Sequence, residues 1–572
     1  MGVENKISND LILEEYGVWR LREHTSFAYS DGSHAEKYLH SVFEKDIDLS
    51  SGSADLKAWI KDWPSEYHLS VKRAQLLSGF DFDPGLKVLE VGCGCGAITR
   101  YLSENFDDVV SVEGSPIRAK LARMRNKGCD NVSIVCAPFQ KLEFTEKFDL
   151  IVCIGVLEYS ALFIEEENPY DRVLSYFGDL LTASGRVIIA IENQFGLKYF
   201  ASSREDHLKV MFEGIEGYPV FSDKVKTFGR NELEEKLSRH FKSIEFCYPY
   251  PDYKIPDAVF SEEFLEAGIA GEMVSKFSSR DYYGTAQRLF DESLTTLELA
   301  KNNLLTVFSN SFVVVAGKES GNESAFKQLG VMFSSGRRKP YRMKTRFFKE
   351  EGKFRVEKVR LHERSSQEDS RLKVNEVSCL WIDGYSLHTR ILLTCLNRKR
   401  EFGECFDLVK HWLEKVEALS TEGELPGGYI DCIWSNTFFE GDEIKFIDQE
   451  WEWGKSLSYK VIFIRSVFFF LLATDGINKL PGYLKVSNTK RLIRRVANLF
   501  DLELSNADFD EFALQESEFQ SLVYGKKQAR ERFMIHWYLN NRQSLMFVKS
   551  LQTLIDKGSL LAQSARRYIR LP

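Results

Sequence analysis

The sequence predicts an α/β domain built on a parallel sheet, followed by a second domain of the α+β class. From Leu86 onward, short runs rich in Val and Ile alternate with amphipathic segments, which is typical of buried parallel strands connected by helices. After a polar stretch at residues 319–327, the pattern changes to period-two alternation and then to helical periodicity. The length of 572 residues also exceeds that of a usual single domain.

Composition excludes several classes of protein. Hydrophobic residues make up 44% and charged residues 28% of the chain, a globular balance that excludes disorder as the dominant state. A formal net charge of −8 argues against a protein whose main activity is binding to nucleic acid. The ten cysteines are scattered and the first ten residues lack an apolar signal segment, so we expect a cytoplasmic protein without a disulfide scaffold.

The first domain is predicted over residues 81–318, after a helical lead-in or lid over residues 1–80. Its last two strands are expected at Ser243–Pro251 and Leu304–Lys318, as an antiparallel pair. The residues between them, 252–303, form an insertion that we expect to cover a substrate site.

The second domain is predicted over residues 328–572. Tyr341–Leu361 alternates at period two around Gly352, which indicates a hairpin. A helix is expected over Phe402–Leu419, and the rest forms a helical C-terminal lobe in which residues 501–572 have no assigned role. The apolar run Val461–Ala473 is interrupted by Arg465 and is shorter than the roughly 20 residues that span a bilayer. It predicts a buried helix and no transmembrane segment.

A glycine-rich loop closes the first strand of the α/β domain. Gly92, Gly94 and Gly96 follow Glu90, and such glycines allow a tight turn and close approach of a ligand. Glu113 ends the second strand, where an acidic side chain can bind both hydroxyls of a ribose, and Phe139 follows the third strand, where an adenine would pack. A nicotinamide-binding fold or a purely structural loop are the alternatives.

These residues carry a resemblance to a known family. The acidic residue followed by GxGxG at 90–96, together with Glu113, resembles motifs I and II of the class I S-adenosylmethionine-dependent methyltransferases, and Phe148–Tyr159 is similar to motif IV. The resemblance implies a Rossmann-like sheet and S-adenosylmethionine as the cofactor. Its binding residues would be Glu90, the three loop glycines, Glu113 and Phe139.

Acceptor residues are expected at the carboxyl edge of the sheet. Glu158 follows the fourth strand, and the segment that follows the fifth strand ends at Asp206 and His207. A hydroxyl acceptor requires a general base, for which Glu158, Asp206 and His207 are candidates, whereas an acceptor that is already an anion requires none. In the alternative reading, Asp206 and His207 only cap or join a helix.

The second domain contains a further set of polar residues. Asp431 and Asn436 have the spacing D-x-x-x-x-N, and Asp448 follows an apolar strand 12 residues later. Phosphoryl transfer uses a carboxylate near the attacking hydroxyl and an Asn and an Asp that hold Mg²⁺. Lys358, on a predicted strand, is the candidate for steadying the phosphates, and its acidic partner would be Glu368 or Glu376.

This set resembles the protein-kinase-like fold, in particular aminoglycoside and choline kinases. The resemblance implies a catalytic Asp431, metal ligands Asn436 and Asp448, nucleotide-binding Lys358, and ATP with Mg²⁺. The sequence departs from the family because it lacks a glycine-rich phosphate loop between Gly330 and Arg342. An active kinase, a degenerate module that binds a ligand or partner, and a chance resemblance therefore all remain open.

The combination of a methyltransferase-like domain with a kinase-like domain resembles bacterial methyltransferase-kinase proteins that cap an O-antigen polysaccharide. It implies lipopolysaccharide biosynthesis, a glycan or glycan-phosphate acceptor, a glycosyltransferase partner and a peripheral place at the inner membrane. The alternatives are an adaptor with an inactive kinase-like half and a methyltransferase for small molecules or proteins. A group of tyrosines is expected to stack on sugar rings: Tyr199, Tyr248, Tyr250, Tyr253, Tyr282 and Tyr283.

Overall fold

The computed structural model describes residues 3–24, 32–220, 225–284, 288–320, 323–362, 369–397, 403–474, 477 and 488–540. The chain divides into two compact units. The first comprises residues 1–335 with 345–352, and the second comprises residues 336–344 with 353–572. The sequence placed the boundary at 319–327. The first unit extends further because the strand at 330–333 pairs with the strand at 258–261 inside that unit.

The first unit contains a mixed sheet. Its strands are β1 (Leu11–Leu13), β2 (Val18–Leu21), β3 (Lys87–Val91), β4 (Asp108–Glu113), β5 (Val132–Cys136), β6 (Phe148–Ile154), β7 (Leu181–Glu192), β8 (Ser243–Tyr250), β9 (Ala258–Ser261), β10 (Ser311–Gly317) and β11 (Gly330–Phe333). They are ordered β1-β2-β5-β4-β3-β6-β7-β10-β8-β9-β11. The neighbours from β2 to β7 are parallel. The prediction of a parallel α/β sheet is therefore confirmed.

Helices connect the strands. They are α1 (Ser33–Phe43), α2 (Trp63–Leu69), α3 (Lys72–Gln75), α4 (Ala97–Asn105), α5 (Pro116–Arg125), α6 (Ser160–Phe163), α7 (Pro169–Leu180), α8 (Leu197–Phe200), α9 (Arg230–Ser238), α10 (Glu262–Glu266), α11 (Gly271–Ser275), α12 (Glu292–Lys301) and α13 (Leu305–Phe308). β9 and the helices α10–α12 lie within the insertion predicted at 252–303. The central strand β3 has β4 on one side and β6 on the other, so the loop after β3 lies at the point where strand order reverses. Open α/β sheets bind their ligands at this point.

The last strands differ in direction from the others. β10 pairs antiparallel with both β7 and β8, so the predicted antiparallel pair is present, but the strand begins only at Ser311 and the first part of the segment predicted as strand, Leu305–Phe308, is the helix α13. All seven residues of β10 are buried, which is expected of a strand that has neighbours on both sides and is covered on both faces.

The sequence predicted a helical lead-in over residues 1–80, but the structure also contains strands there. The short strands β1 and β2 form an antiparallel pair, and β2 adds parallel to β5 at the margin of the sheet. Gly17 turns the chain between them with φ of 80°. The strands are only three and four residues long, which is too short to produce a clear period-two pattern.

In the second unit, antiparallel strand pairs precede and interrupt a set of helices. The division between the units falls within β12 (Met343–Glu350). The remaining strands are β13 (Lys353–Arg360), β14 (Leu372–Val374), β15 (Val377–Leu380), β16 (Glu424–Pro426), β17 (Thr437–Glu440), β18 (Glu443–Phe446), β19 (Trp451–Trp453) and β20 (Ser456–Ser458). The helices are α14 (Leu387–Leu396), α15 (Gly403–Ala418), α16 (Tyr459–Thr474), α17 (Thr489–Asn498), α18 (Asn506–Tyr524) and α19 (Gln528–Asn540). The pairs β13–β15, β14–β19, β16–β20 and β17–β18 are all antiparallel, an α+β arrangement.

The apolar run at 461–473 forms most of α16. Its side chains are almost all buried, including Arg465, so the prediction of a buried helix is confirmed. Across the described part of the chain, no helix combines the length and the apolar character needed to cross a membrane.

Candidate functional site

Three glycines shape the loop between β3 and α4. Gly92, Gly94 and Gly96 have φ of 76°, 57° and 80°, in the left-handed region that other residues rarely adopt. A Cβ on Gly96 would lie 2.8 Å from Cα of Ala122, because the loop packs closely against α5. The loop thus presents its backbone without intervening side chains at these three positions.

Glu113, at the end of β4, holds this loop in place. Its Oε2 accepts a hydrogen bond from the backbone N–H of Gly94 at 2.8 Å, and its Oε1 accepts one from that of Ser115 at 2.9 Å. Each carboxylate oxygen keeps a second acceptor position. Glu113 therefore has the capacity to bind hydroxyls while it fixes the loop, and its predicted role at a ribose stays a prediction.

Glu90 lies behind the loop and is buried. Its Oε2 accepts hydrogen bonds from the hydroxyls of Thr99 and Ser111, both at 2.7 Å. Burial raises its pKa to about 7. These contacts make Glu90 a support for the loop, in addition to the cofactor contact that the sequence predicts.

Phe139 begins a short 3₁₀ turn after β5. The residue is 8% exposed, and its ring packs against Tyr176 and Phe177, with centroid distances of 6.0 and 6.1 Å. The ring is fixed from behind and contributes an apolar surface to the cavity described next.

A cavity of about 520 Å³ adjoins the glycine loop, within the range of about 300–1,000 Å³ that is usual for small-molecule sites. Its lining includes the loop, Glu113 and Phe139, and also Glu158, His207, Tyr253 and Lys254. The residues predicted for a cofactor and those predicted for an acceptor thus share one cavity.

His207 is surrounded by carboxylates. Its Nε2 lies 3.4 Å from Oε1 of Glu158 and 3.5 Å from Oε2 of Glu192, and its Nδ1 lies 2.9 Å from Oε1 of Glu205. Burial alone would lower the pKa of His207, but the charges of Glu192 and Glu205 outweigh it and raise that pKa well above its usual value. Burial raises the pKa of Glu158.

Asp206 has a different environment. Its Oδ2 lies 2.7 Å from Nζ of Lys198 and 2.6 Å from Nζ of Lys254. Burial alone would raise its pKa, but these two charges hold it well below the usual value. Asp206 is therefore a poor candidate for the general base. The raised pKa of His207 favours its protonated form and makes it a poor candidate as well, which leaves Glu158 among the three predicted residues.

The sequence did not predict Glu192, Glu205 or Lys254 as members of this cluster. Glu192 is the last residue of β7, Glu205 precedes His207 by two positions, and Lys254 forms an ion pair with Glu192. Glu192 was within reach of prediction, because it ends a buried parallel strand at the ligand-binding edge. Glu205 and Lys254 lie in irregular segments and carried no comparable signal.

The tyrosine group predicted to stack on sugars is mostly core. Tyr199, Tyr248 and Tyr250 are at most 7% exposed, because they pack inward on and around the sheet, whereas Tyr253, although 2% exposed, lines the cavity. Tyr283 is exposed and lines the cavity, together with Trp63 and Tyr67 from α2. These three rings are better candidates for contact with an acceptor.

In the second unit, Asp431 is held by neighbouring side chains. Its Oδ1 accepts from Nη1 of Arg465 at 2.8 Å and its Oδ2 accepts from Nε1 of Trp451 at 2.9 Å. Burial raises its pKa. Asn436 donates from its side chain to the backbone oxygen of Asp431 at 3.1 Å.

Lys358 has acidic partners that the sequence did not identify. Its Nζ lies 2.7 Å from Oδ1 of Asp448 and 3.3 Å from Oε2 of Glu450. Glu376 instead accepts a hydrogen bond from the backbone N–H of Arg360, and Glu368 lies outside the described residues. Lys358 and Asp448 are thus brought together as the sequence predicts, and Glu450, which also pairs with Arg337 at 2.6 Å, completes the cluster.

The comparisons with known proteins agree with the geometry of the first unit. Residues 88–176 match the model of a family described as "Methyltransferase domain". This segment runs from β3 through most of α7 and includes the glycine loop, Glu113, Phe139 and Glu158. This segment is therefore similar to a methyltransferase domain.

Two curated relatives match over part of their length. Cyclopropane-fatty-acyl-phospholipid synthase of Escherichia coli (strain K12) is 33% identical over 76 residues, 13% of this chain and 19% of that protein. Nodulation protein S of Bradyrhizobium diazoefficiens is 37% identical over 87 residues, 15% of this chain and 42% of that protein. The chain therefore spans less than half the length of these relatives.

Among solved structures, the N-methyltransferase NodS from Bradyrhizobium japonicum WM9, in complex with S-adenosyl-L-homocysteine, is similar with a TM-score of 0.27 and 15% identity. The match covers 50% of this chain and 99% of that one.

Proposed function

We propose that the chain is an S-adenosylmethionine-dependent methyltransferase that acts on a glycan hydroxyl or a terminal glycan phosphate. The observation that carries the proposal is the shared cavity, lined by the glycine loop with Glu113 and by the cluster around His207. A cofactor held by the loop would share this cavity with the acceptor, and holding the two reactants together would supply much of the rate enhancement.

The residues fit the cofactor in two respects. The left-handed glycines leave the backbone open beside β3, and Glu113 has acceptor positions available for ribose hydroxyls. When bound, S-adenosylmethionine supplies an electrophilic methyl group on a sulfonium sulfur. The acceptor oxygen forms a bond to that carbon as the carbon–sulfur bond breaks.

The proton of a hydroxyl acceptor needs a destination. Neither carboxylate oxygen of Glu158 has a hydrogen-bond partner among the described residues, and the side chain lines the cavity. Glu158 is therefore the group that we assign to accept this proton. A phosphate acceptor needs no base, and Lys254, which also lines the cavity, offers it a cation.

A glycan acceptor is supported by the chemistry of the lining. Sugars are bound by aromatic faces and by carboxylates that accept from hydroxyls, and the cavity offers Trp63, Tyr67 and Tyr283 beside Glu158. The resemblance to O-antigen proteins points in the same direction. Bacterial lipopolysaccharide biosynthesis, a glycosyltransferase partner and a cytoplasmic place at the inner membrane stay predictions that follow from this resemblance.

The pair Lys358–Asp448 favours a second function, transfer of phosphate from ATP with Mg²⁺ to the glycan. Asp448 would hold the metal together with Asn436, and Lys358 would contact the phosphates. Asp431 is the proposed catalytic carboxylate, although it is paired with Arg465. In the alternative, the second unit is an inactive module that recruits a partner in polysaccharide assembly.

Calorimetry with S-adenosylhomocysteine tests the cofactor site. Gly94→Trp places an indole in the loop, where even a Cβ would lie 2.8 Å from Nη2 of Arg118, and we expect binding to fall at least about 100-fold. Gly128→Trp is the matched control, because Gly128 also has positive φ but no atom within 4 Å of the place that a Cβ would take. Equal affinity of wild type and Gly94→Trp would contradict the assignment.

The acceptor is tested with labelled S-adenosylmethionine over oligosaccharides with and without a terminal phosphate, followed by mass measurement of the products. We expect label in the glycan and its loss in Glu158→Gln when the acceptor is a hydroxyl. Label only in small amines or proteins would reject the glycan and leave methyl transfer intact.

A further inference from the structure

Two buried carboxylates near His207 have oxygens without hydrogen-bond partners. Both oxygens of Glu158 and Oε2 of Glu192 have no hydrogen-bond partner among the described residues, and both side chains are at most 1% exposed. A buried anion without hydrogen bonds is strongly unfavourable unless a cation compensates it. Nε2 of His207 lies 3.4 and 3.5 Å from two of these oxygens, beyond the usual distance of about 2.7–3.2 Å for an N–H···O hydrogen bond, so the oxygens retain acceptor positions for a further positive partner.

Three possible metal-ligand atoms lie close together. An oxygen of Glu158, an oxygen of Glu192 and a nitrogen of His207 all lie within 4.8 Å of one another. Nε2 of His207 is 3.4 and 3.5 Å from the two carboxylate oxygens. Ligands about 2.1 Å from an ion lie about 3.0 Å apart at right angles and about 4.2 Å apart when opposite. The observed separations between Nε2 and the oxygens fall between these values.

Glu205 orients the imidazole for such a role. It lies 2.9 Å from Nδ1 of His207 and accepts from the backbone N–H groups of His207 and Leu208 at 2.7 and 2.6 Å. A ligating histidine usually donates its other ring N–H to a carboxylate, which turns the lone pair of the remaining nitrogen toward the metal. Here that nitrogen is Nε2, which faces Glu158 and Glu192.

The charges around the site leave a deficit of cations. Five carboxylates, those of Glu158, Glu192, Glu205, Asp206 and Asp252, lie around three basic groups, Lys198, His207 and Lys254. Lys254 pairs with Oε1 of Glu192 and with Asp206. Oε2 of Glu192 and Oε1 of Glu158 face His207, whose single Nε2 lies 3.5 and 3.4 Å away and is shared between the two carboxylates.

We propose that Glu158, Glu192 and His207 form a binding site for a divalent metal ion, with Glu205 as the residue that positions His207. Because the cavity also contains the predicted cofactor loop, the ion would lie beside the acceptor, and this role rests on the proposed function. Two carboxylates and one imidazole suit first-row ions such as Mn²⁺ and Zn²⁺. The remaining coordination positions are open to oxygen atoms of a hydroxyl or a phosphate.

Electron paramagnetic resonance tests the site without reference to activity. The signal of free Mn²⁺ decreases as the ion binds to the full chain. We expect the wild type to bind one Mn²⁺ per chain at this site, and we expect the variants Glu158→Gln and His207→Gln to lose that ion. Glu205→Gln should weaken binding about 10- to 100-fold, since it removes only the orienting acceptor.

Matched controls separate this site from other effects. Glu245→Gln changes a half-buried carboxylate on β8, and His240→Gln changes a histidine that pairs with Asp171; both should bind Mn²⁺ like wild type. Asp448→Asn alters the metal ligand proposed in the second unit and should keep the ion that Glu158→Gln loses. Calorimetry with S-adenosylhomocysteine shows whether each variant is folded.

The outcomes are distinct. Wild type that binds neither Mn²⁺ nor Zn²⁺ while it binds S-adenosylhomocysteine would overturn the metal site and leave the proposed function standing. Retention of the ion in both Glu158→Gln and His207→Gln would also overturn it. Loss of ion binding in these variants, with binding of S-adenosylhomocysteine unchanged, would support the site. Failure of wild type to bind S-adenosylhomocysteine while it binds Mn²⁺ would contradict the proposed function alone.

Discussion

At position 96, the protein itself excludes a side chain. Gly96 combines φ of 80° with a distance of only 2.8 Å between the place that a Cβ would take and Cα of Ala122. The first property penalises any L residue, and the second requires α5 to move. Conformation and space therefore both demand glycine here, whether or not a ligand is bound.

Gly96→Ala should lower the free energy of unfolding by more than Gly128→Ala. Gly128 has φ of 81° and nothing within 4 Å of the position of an added Cβ, so alanine there costs only the left-handed conformation, about 1–2 kcal/mol. Gly96→Ala adds displacement of backbone, and we expect a further cost of about 1–3 kcal/mol. Urea unfolding of the two variants measures the difference, and equal midpoints would contradict the packing argument.

Residues of the site could be predicted where they follow a buried strand. They could not be predicted where their place depends on an ion pair with a residue distant in sequence. Glu113 and Glu158 follow from the position of buried strands, because that position fixes the edge at which a side chain emerges. Lys254 lies 62 positions after its partner Glu192, and no local pattern encodes such a pairing. The acidic partners of Lys358 were missed for the same reason, since Asp448 and Glu450 are distant from it in sequence.

At the scale of elements, α16 is a helix whose apolar surface contains one buried charge. Arg465 donates from Nη1 to Asp431 and from Nε to Oε2 of Glu516 on α18, each at 2.8 Å. The guanidinium thus joins α16 to α18 and to the turn that contains Asp431. Removal of one member of such a set leaves the others buried and unpaired.

Arg465→Met should destabilise the second unit by about 3–5 kcal/mol, the usual cost of an uncompensated buried charge. Tryptophan fluorescence during urea unfolding is a suitable measure, because six of the nine tryptophans belong to this unit. Arg495→Met, at an exposed position on α17, should change stability by less than about 0.5 kcal/mol. A small effect of Arg465→Met would show that the carboxylates are otherwise solvated.

Elements with a clear apolar pattern were predicted from the sequence, whereas short strands without such a pattern were not. The buried strands β3, β4, β6 and β10 and the helices α15 and α16 were predicted from periodicity. The strands β1 and β2 are too short to show a period, and their place beside β5 depends on a tertiary pairing. The tyrosines of β8 were misassigned because an aromatic side chain has the same appearance in sequence whether it packs in a core or lines a site.

At the scale of the whole molecule, the two candidate sites belong to different units. The cavity with Gly94 and Glu158 is in the first, and the Lys358–Asp448 pair is in the second. Their proposed reactions use different cofactors, so single substitutions are expected to remove one reaction at a time.

Lys358→Met should abolish transfer of phosphate from ATP to a glycan and leave methylation of a prephosphorylated glycan unchanged. Gly94→Trp should abolish methylation and leave the transfer of phosphate unchanged. Lys445→Met, at a lysine that pairs with Glu443 on the surface, is the control for the loss of a lysine. The masses of the glycan products of the wild type and the three variants show which reaction each protein retains. A wild type that transfers no phosphate would favour the adaptor alternative.

The place of β10 in the sheet has a consequence for synthesis on the ribosome. β10 lies between β7 and β8, yet it is made after both of them and after the whole insertion. Until Ser311–Gly317 leaves the exit tunnel, β7 and β8 each have an edge of unpaired backbone N–H and C=O groups, and such edges pair readily with other chains. Nascent chains of this protein therefore have a long interval in which they depend on shielding by chaperones, and fragments that end before residue 311 will tend to aggregate.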